Sequence, residues 1–215
     1  MSQRQALPRW TAETRLVVVI RGEHADDYVP VIDTMVEAGV RSFELTLTTP
    51  GTAAALPGLV ERYGDTADIG VGTVTRPGEV DAAADGGARY LVTPISDVTV
   101  VDRALARDVP VVPGGLTPTE VWSTWSRGVP AVKVFPAGQV GPGYLKDLRG
   151  PFPELAVVPS GGVDLDAAGA WLAAGAAAVS VGGPLLGDAL AGGELTALAA
   201  RARRFVEVCA GSGAA

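Results

Sequence analysis

The sequence predicts an α/β fold of the (β/α)8 barrel type, with an N-terminal extension and a C-terminal helix. Three observations carry this. Eight short β-branched runs recur between residues 16 and 181, each four to seven residues long and rich in Val, as expected for strands covered on both faces. Stretches of helical character lie between them, one strand–helix unit every 20–28 residues. The chain has 215 residues, enough to bury roughly 70% or more of its unfolded surface and slightly above the lower end for eight such units. A doubly wound sheet is the runner-up; it uses fewer strands at this length, and no Gly-x-Gly-x-x-Gly follows the first run.

Taken in order, the strands are placed at 16–20, 41–47, 68–72, 89–92, 109–112, 131–135, 155–159 and 177–181. Between the first two, residues 26–39 carry Val29, Ile32 and Val36 at helical spacing, with Val40 next, and end at Gly39. Residues 117–128 begin Thr-Pro-Thr-Glu, with Pro118 at the first helical position and Glu120 three residues after Thr117, a capping-box pattern. Residues 164–175 start on the cap residue Asp164 and end on Gly175. The first fifteen residues and a helix over 195–209 are additions that cover the barrel ends or sides. The tail 210–215 reads as disordered. The whole chain, 1–215, reads as one domain with its barrel core at about 16–190.

Composition removes several classes of function. The chain is 47% hydrophobic and 19% charged, with a net charge of −7, which fits neither a disordered chain nor a partner with a phosphate backbone. A single cysteine, Cys209, permits no internal disulfide and no thiolate cluster. A single histidine, His24, excludes sites that need two imidazoles and reads as a surface residue. No metal or cofactor is expected. No run reaches the ~18 apolar residues of a membrane span, and no leader pattern opens the chain. A soluble cytoplasmic protein is expected, with neither a nucleic-acid nor a membrane partner.

The basic residues narrow the chemistry further. Fifteen of the 17 are Arg; the two lysines are Lys133 and Lys146. Only lysine, as a neutral amine, condenses with a carbonyl. Lys146 lies in a helical stretch beside Asp147 and Arg149 and reads as a surface residue. In Ser-Phe-Glu-Leu-Thr-Leu, Phe43, Leu45 and Leu47 share one face and must meet the helices, which turns Ser42, Glu44 and Thr46 inward. The same parity sends Val132 and Val134 outward and Lys133 inward. A buried charge needs a partner, so Glu44 and Lys133 are expected to share one pocket near the top of the barrel. A structural ion pair is the alternative reading, and such pairs add little net stability.

Other special residues gather at the same strand ends: Arg21, Thr48, Thr73, Pro94, and the glycine pairs in Ser160-Gly161-Gly162 and Gly182-Gly183-Pro184. In this fold chemistry sits where strands run into the following loops, and the last two loops commonly hold phosphate through backbone N–H groups; tight turns alone would also explain the glycines. A lysine beside a carboxylate points to imine chemistry on a keto substrate and a retro-aldol cleavage, with Glu44 moving protons and Thr73 with nearby N–H groups holding a carboxylate. The alternative is a phosphate-binding barrel isomerase or synthase that forms no covalent adduct.

Several motifs occur in one order over roughly residues 16–190: Glu44-Leu-Thr-Leu, Gly70-Val-Gly-Thr73-Val, Val92-Thr-Pro94, Pro113-Gly, Val132-Lys133-Val-Phe135-Pro-Ala, Pro159-Ser-Gly-Gly162-Val and Val181-Gly-Gly183. With them the chain resembles the 2-keto-3-deoxy-6-phosphogluconate / 4-hydroxy-2-oxoglutarate aldolases, class I pyruvate-forming lyases on a (β/α)8 barrel, usually trimeric. The resemblance implies Lys133 as the Schiff-base lysine and Glu44 as acid and base. Thr73, Pro94 and Phe135 would line the pyruvyl pocket, with phosphate contacts from Gly161, Gly162, Gly182 and Gly183. It also implies a small phosphorylated keto acid as substrate, no cofactor, and a homotrimer. Two departures bear on the substrate. Thr48 stands where the phosphogluconate enzymes have an arginine, and Pro184 where they have a serine. Ile20-Arg21-Gly22 and Thr49-Pro50 instead resemble the phosphogalactonate branch, yet Thr46 is kept as in the phosphogluconate enzymes, so the chain mixes features of both branches. Arg21 is expected to supply the missing cation.

Overall fold

A computed structural model describes residues 4–211. A short helix α1 (Arg9–Thr14) precedes strand β1 (Leu16–Ile20). Then follow α2 (Tyr28–Glu37), β2 (Ser42–Thr46), α3 (Thr52–Tyr63), β3 (Asp68–Gly72), α4 (Pro77–Asp85), β4 (Leu91–Val92) and α5 (Val98–Ala106). The second half runs β5 (Val111–Val112), β6 (Gly114–Gly115), α6 (Pro118–Trp125), β7 (Val132–Val134), α7 (Gly143–Arg149), β8 (Val157–Pro159), α8 (Leu165–Ala173), β9 (Val179–Val181), α9 (Gly183–Leu186) and α10 (Leu195–Gly211). Among the described residues no helix is long and apolar enough to cross a membrane.

All strand pairings are parallel. Six strands form one sheet in the order β5-β4-β3-β2-β1-β9, and β6-β7-β8 form a second. Of the fifth strand expected over 109–112 the structure keeps Val111–Val112, and it adds the separate strand β6 beyond Pro113, which has no N–H to donate to a ladder. Lys133 N–H donates to the Pro113 carbonyl at 2.8 Å. At the other junction Ala177 N–H donates to Val157 O at 2.9 Å, and Ser160 bridges Ser180.

Side-chain parity places the core on both faces of the strands. Phe43, Leu45, Val132 and Val134 are fully buried in the large apolar cluster with residues of the helices, including Val31, Ile32, Val121 and Trp171. Their neighbours along the chain turn the other way. Val17, Tyr90, Val92, Val112, Ala131, Val158 and Ala178 form a second, smaller cluster that draws on strands of both sheets. Val-rich strands suit this arrangement because each is covered on both sides.

Local signals explain the helix starts. Thr117 Oγ1 accepts from Glu120 N–H at 3.3 Å, while Glu120 Oε2 accepts from Thr117 N–H at 2.7 Å; this reciprocal cap stabilises α6 by about 1 kcal/mol. Asp164 caps α8 through Ala167 N–H at 2.9 Å. The helix expected over 26–39 begins as a 3-10 turn, Ala25–Asp27, whose first N–H groups His24 caps: Asp26 N–H donates to His24 Nδ1 at 3.3 Å. His24 and Lys146 are exposed, as expected of surface residues. The disorder expected over 210–215 does not hold for residues 210 and 211, which continue α10 because Cys209 and Phe205 anchor its last turns in the core; residues 212–215 lie outside the described part. Burial pushes the Cys209 thiol up to about 11, so it is a packing residue and not a nucleophile.

The N-terminal residues close the end of the sheet opposite the loops that carry the site. Thr11 N–H and Oγ1 donate to Asp68 Oδ2 at 2.7 and 3.0 Å, and Thr11 Oγ1 lies 2.7 Å from Ser42 Oγ. Ser42 Oγ in turn lies 3.0 Å from the Tyr90 hydroxyl. Burial raises the Asp68 carboxyl above its ordinary range against these hydrogen bonds. Ser42, inward by parity, is thus satisfied by a polar network and not by substrate chemistry. Trp125 and Trp171 are buried; Trp122 is 48% exposed and stacks on Phe152 with ring centroids 4.8 Å apart.

Candidate active site

Parity delivers both charged residues to one point. Lys133 on β7 and Glu44 on β2 are 7% and 1% exposed, and Lys133 Nζ lies 3.6 Å from Glu44 Oε1. Lys133 Nζ also lies 5.4 Å from the centre of the Phe135 ring. Glu44 Oε2 is buried and accepts no hydrogen bond from the described residues. A carboxylate with one oxygen ion-paired and the other unused contributes little to stability after its desolvation, so the arrangement is better understood through chemistry than through packing.

Lys133 lines a cavity of about 330 Å³ at the C-terminal ends of the strands. Arg21, Thr73, Pro94, Phe135, Ser160, Gly161, Gly162, Gly182 and Gly183, all expected at the site, line it as well. Glu44 lies behind Lys133 and is not part of the wall. A second space of about 420 Å³ shares Val19, Arg21, Gly182 and Gly183 with the first and extends to Leu186, Asp188 and Leu190. Thr48 is not brought to either wall: it is exposed, and its Oγ1 donates to Thr46 Oγ1 at 3.3 Å. Thr46 Oγ1 is also within 3.3 Å of Thr49 Oγ1, which accepts from Gly22 N–H at 3.1 Å. These threonines tie the loops after β1 and β2 together.

Val19, Val163, Ser180 and Pro184 complete the first cavity. Of these, Val19 and Ser180 could have been found by parity, since each stands two residues from an inward neighbour, Arg21 and Ala178. Ser160 Oγ donates to Ser180 Oγ at 3.2 Å, which links the two glycine loops.

Two backbone features shape the cavity. Gly161 and Gly162 have φ of +81° and +74°, a left-handed pair that only glycine adopts without strain. A Cβ on Gly161 would meet the Phe135 ring at 3.0 Å. Among the described residues, the N–H groups of Gly161, Gly162, Gly182 and Gly183 donate to no protein acceptor, and consecutive amides of this kind form anion-binding concavities. Thr73 is the second feature. Its φ is +61°, an unusual value for a β-branched residue, costing about 1–3 kcal/mol. Its Oγ1 accepts from Arg21 Nη2 at 3.3 Å across the cavity mouth.

Comparison with known proteins shows the family. The family described as "KDPG and KHG aldolase" matches residues 9–199. The chain is 34% identical over 178 residues to the 2-dehydro-3-deoxy-6-phosphogalactonate aldolase of Escherichia coli K12, covering 82% of this chain and 87% of that one. A native KDPGal structure superposes with a TM-score of 0.85 at 32% identity, over 99% of this chain and 98% of that one. A KDPG aldolase from Legionella pneumophila, with pyruvate captured as a covalent carbinolamine, superposes with a TM-score of 0.80 at 25% identity, over 93% and 94%. With its lysine, carboxylate and glycine loops in this arrangement, the chain belongs to the KDPG and KHG aldolase family of lyases.

Proposed function

We propose that the protein is a class I aldolase that cleaves a 2-keto-3-deoxy-6-phospho sugar acid to pyruvate and glyceraldehyde 3-phosphate, and also 4-hydroxy-2-oxoglutarate to pyruvate and glyoxylate. The observation that carries this reading is the 3.6 Å approach of Lys133 Nζ to Glu44 Oε1 beside the cavity. In this reading the neutral Lys133 amine adds to the substrate's C2 carbonyl, and Glu44 delivers the proton with which the carbinolamine hydroxyl leaves as water. Glu44 then takes the C4 hydroxyl proton. The C3–C4 bond breaks, the aldehyde departs, and the electron pair moves into an enamine conjugated with the lysine nitrogen. Protonation at C3 and hydrolysis of the imine release pyruvate and restore the amine. Glu44 Oε2, buried and without a hydrogen-bond partner among the described residues, leaves the carboxylate free to take up the C4 hydroxyl proton.

Thr73 and Arg21 hold the substrate carboxylate, Pro94 and Phe135 pack on the pyruvyl group, and the amides of Gly161, Gly162, Gly182 and Gly183 receive the phosphate. Thr48 contributes through its bond to Thr46 and not by contact. Supporting the finer architecture, the Ser160–Ser180 bridge and the single-residue break at Pro113 join the two sheets at both edges. The reading is one closed (β/α)8 barrel in a single domain, 1–215. The family resemblance adds a homotrimer working in the cytoplasm, for which exposed Trp122 on Phe152 offers an aromatic contact.

The test is pyruvate release, coupled to lactate dehydrogenase, from the phosphogluconate, phosphogalactonate and hydroxyoxoglutarate substrates. Release from a phosphorylated substrate is expected, with Arg21→Met raising KM about 10- to 100-fold, the weight of a charged hydrogen bond. No pyruvate from any of the three would overturn the reading; an unchanged KM would remove Arg21 from the site.

A further inference from the structure

Strand β3 carries glycine at two successive inward positions, Gly70 and Gly72, in the middle of the six-stranded sheet. Glycine weakens a strand interior, because it adds conformational entropy to the unfolded chain and packs nothing. Such a placement needs a neighbour that requires the space. At Gly70 that neighbour is Tyr90, whose ring would lie 2.4 Å from an added Cβ. At Gly72 it is Glu44: an added Cβ would stand 2.1 Å from Oε1, 2.4 Å from Cγ and 2.6 Å from Cδ.

The strand register gives this contact its meaning. Glu44 is directly opposite Gly70, while Gly72 is opposite Thr46. The Glu44 side chain therefore does not stay at its own level. It leans along the strand by two residues, onto the diagonal neighbour, a reach open to long side chains. Its carboxylate ends nearer the C-terminal edge of the sheet, where Lys133 Nζ is met at 3.6 Å. Any side chain at position 72 would occupy that path. Tyr90 fills the space below, fully buried and held through its hydroxyl by Ser42 at 3.0 Å.

We infer that Gly72 is a positioning residue for proton transfer: by lacking a side chain, it lets the Glu44 carboxylate cross β3 and stand against the lysine. The role acts through Glu44 alone and rests on the aldolase reading. A methyl group at position 72 displaces the carboxylate, whereas the amine of Lys133 keeps its place.

The test is Gly72→Ala in two backgrounds, native and Glu44→Ala, whose side chain ends at Cβ and lacks every atom that meets position 72. In the native background, kcat for aldol cleavage is expected to fall about 100-fold, the lower end of what a positioned acid–base group contributes. KM should change less than threefold, and the borohydride-trapped pyruvate adduct on Lys133 should still reach full occupancy, which also shows the variant to be folded. In the Glu44→Ala background, adding Gly72→Ala should change kcat less than threefold, because no side chain then crosses the space over position 72. Native-like kcat in Gly72→Ala, an equal loss in both backgrounds, or loss of the adduct in Gly72→Ala would each overturn the inference. Absence of cleavage and of adduct in the unaltered protein is a separate result, and overturns the aldolase reading together with the role.

Discussion

Replacing Lys133 with arginine is expected to abolish aldol cleavage while leaving the fold intact. Arginine keeps the positive charge beside Glu44, so the buried carboxylate remains paired. Its guanidinium is never available as a neutral amine and cannot form an imine. Cleavage and any pyruvate adduct should disappear together, with a melting temperature within a few degrees of the native one. Lys133→Met separates the structural from the chemical contribution. It leaves Glu44, 1% exposed, with neither oxygen compensated, a loss of about 3–5 kcal/mol, or about 6–20 °C in Tm for a chain of this size. Measurable cleavage by the arginine variant would show that the reaction does not pass through this nitrogen.

Glu44→Gln is expected to produce the complementary defect. The amide is nearly the same size, so it fits over Gly72, where an added Cβ would already lie 2.1 Å from Oε1. It cannot carry a proton between carbinolamine, substrate hydroxyl and enamine. Cleavage should fall about 10²- to 10⁴-fold in kcat, while Lys133 still accumulates the trapped pyruvate adduct on long incubation. The two variants thus divide the site into the group that forms the bond and the group that moves the protons. A kcat within a few-fold of the native value would reduce Glu44 to a structural counter-ion for Lys133.

The pairing of Glu44 with Lys133 was legible because it follows from two short-range rules: alternation along a strand and the cost of an unpaired buried charge. The helix caps at Thr117 and Asp164 are local in the same sense, and both form as their spacing predicts. What the sequence left hidden depends on partners far apart in the chain. Thr11 meets Asp68 across 57 residues, and no pattern in either segment signals it. The separation of β5 from β6 had a signal, Pro113, whose missing N–H interrupts the ladder. Thr48 occupies a position suited to substrate contact by order along the chain, yet the hydrogen-bonded turn through Thr46 and Thr49 directs it to solvent. The inward glycines of β3 were visible as a motif; that one of them serves Glu44 depends on the diagonal lean of a side chain, which register alone reveals.

The most direct test of the central claim is to incubate the protein with pyruvate and sodium borohydride and to locate any added mass by peptide mapping. The account predicts one adduct, on the peptide that contains Lys133, with Lys146 unmodified although it is the more exposed lysine. No adduct, in folded protein that binds phosphate esters, would contradict imine chemistry and return the chain to the non-covalent barrel enzymes.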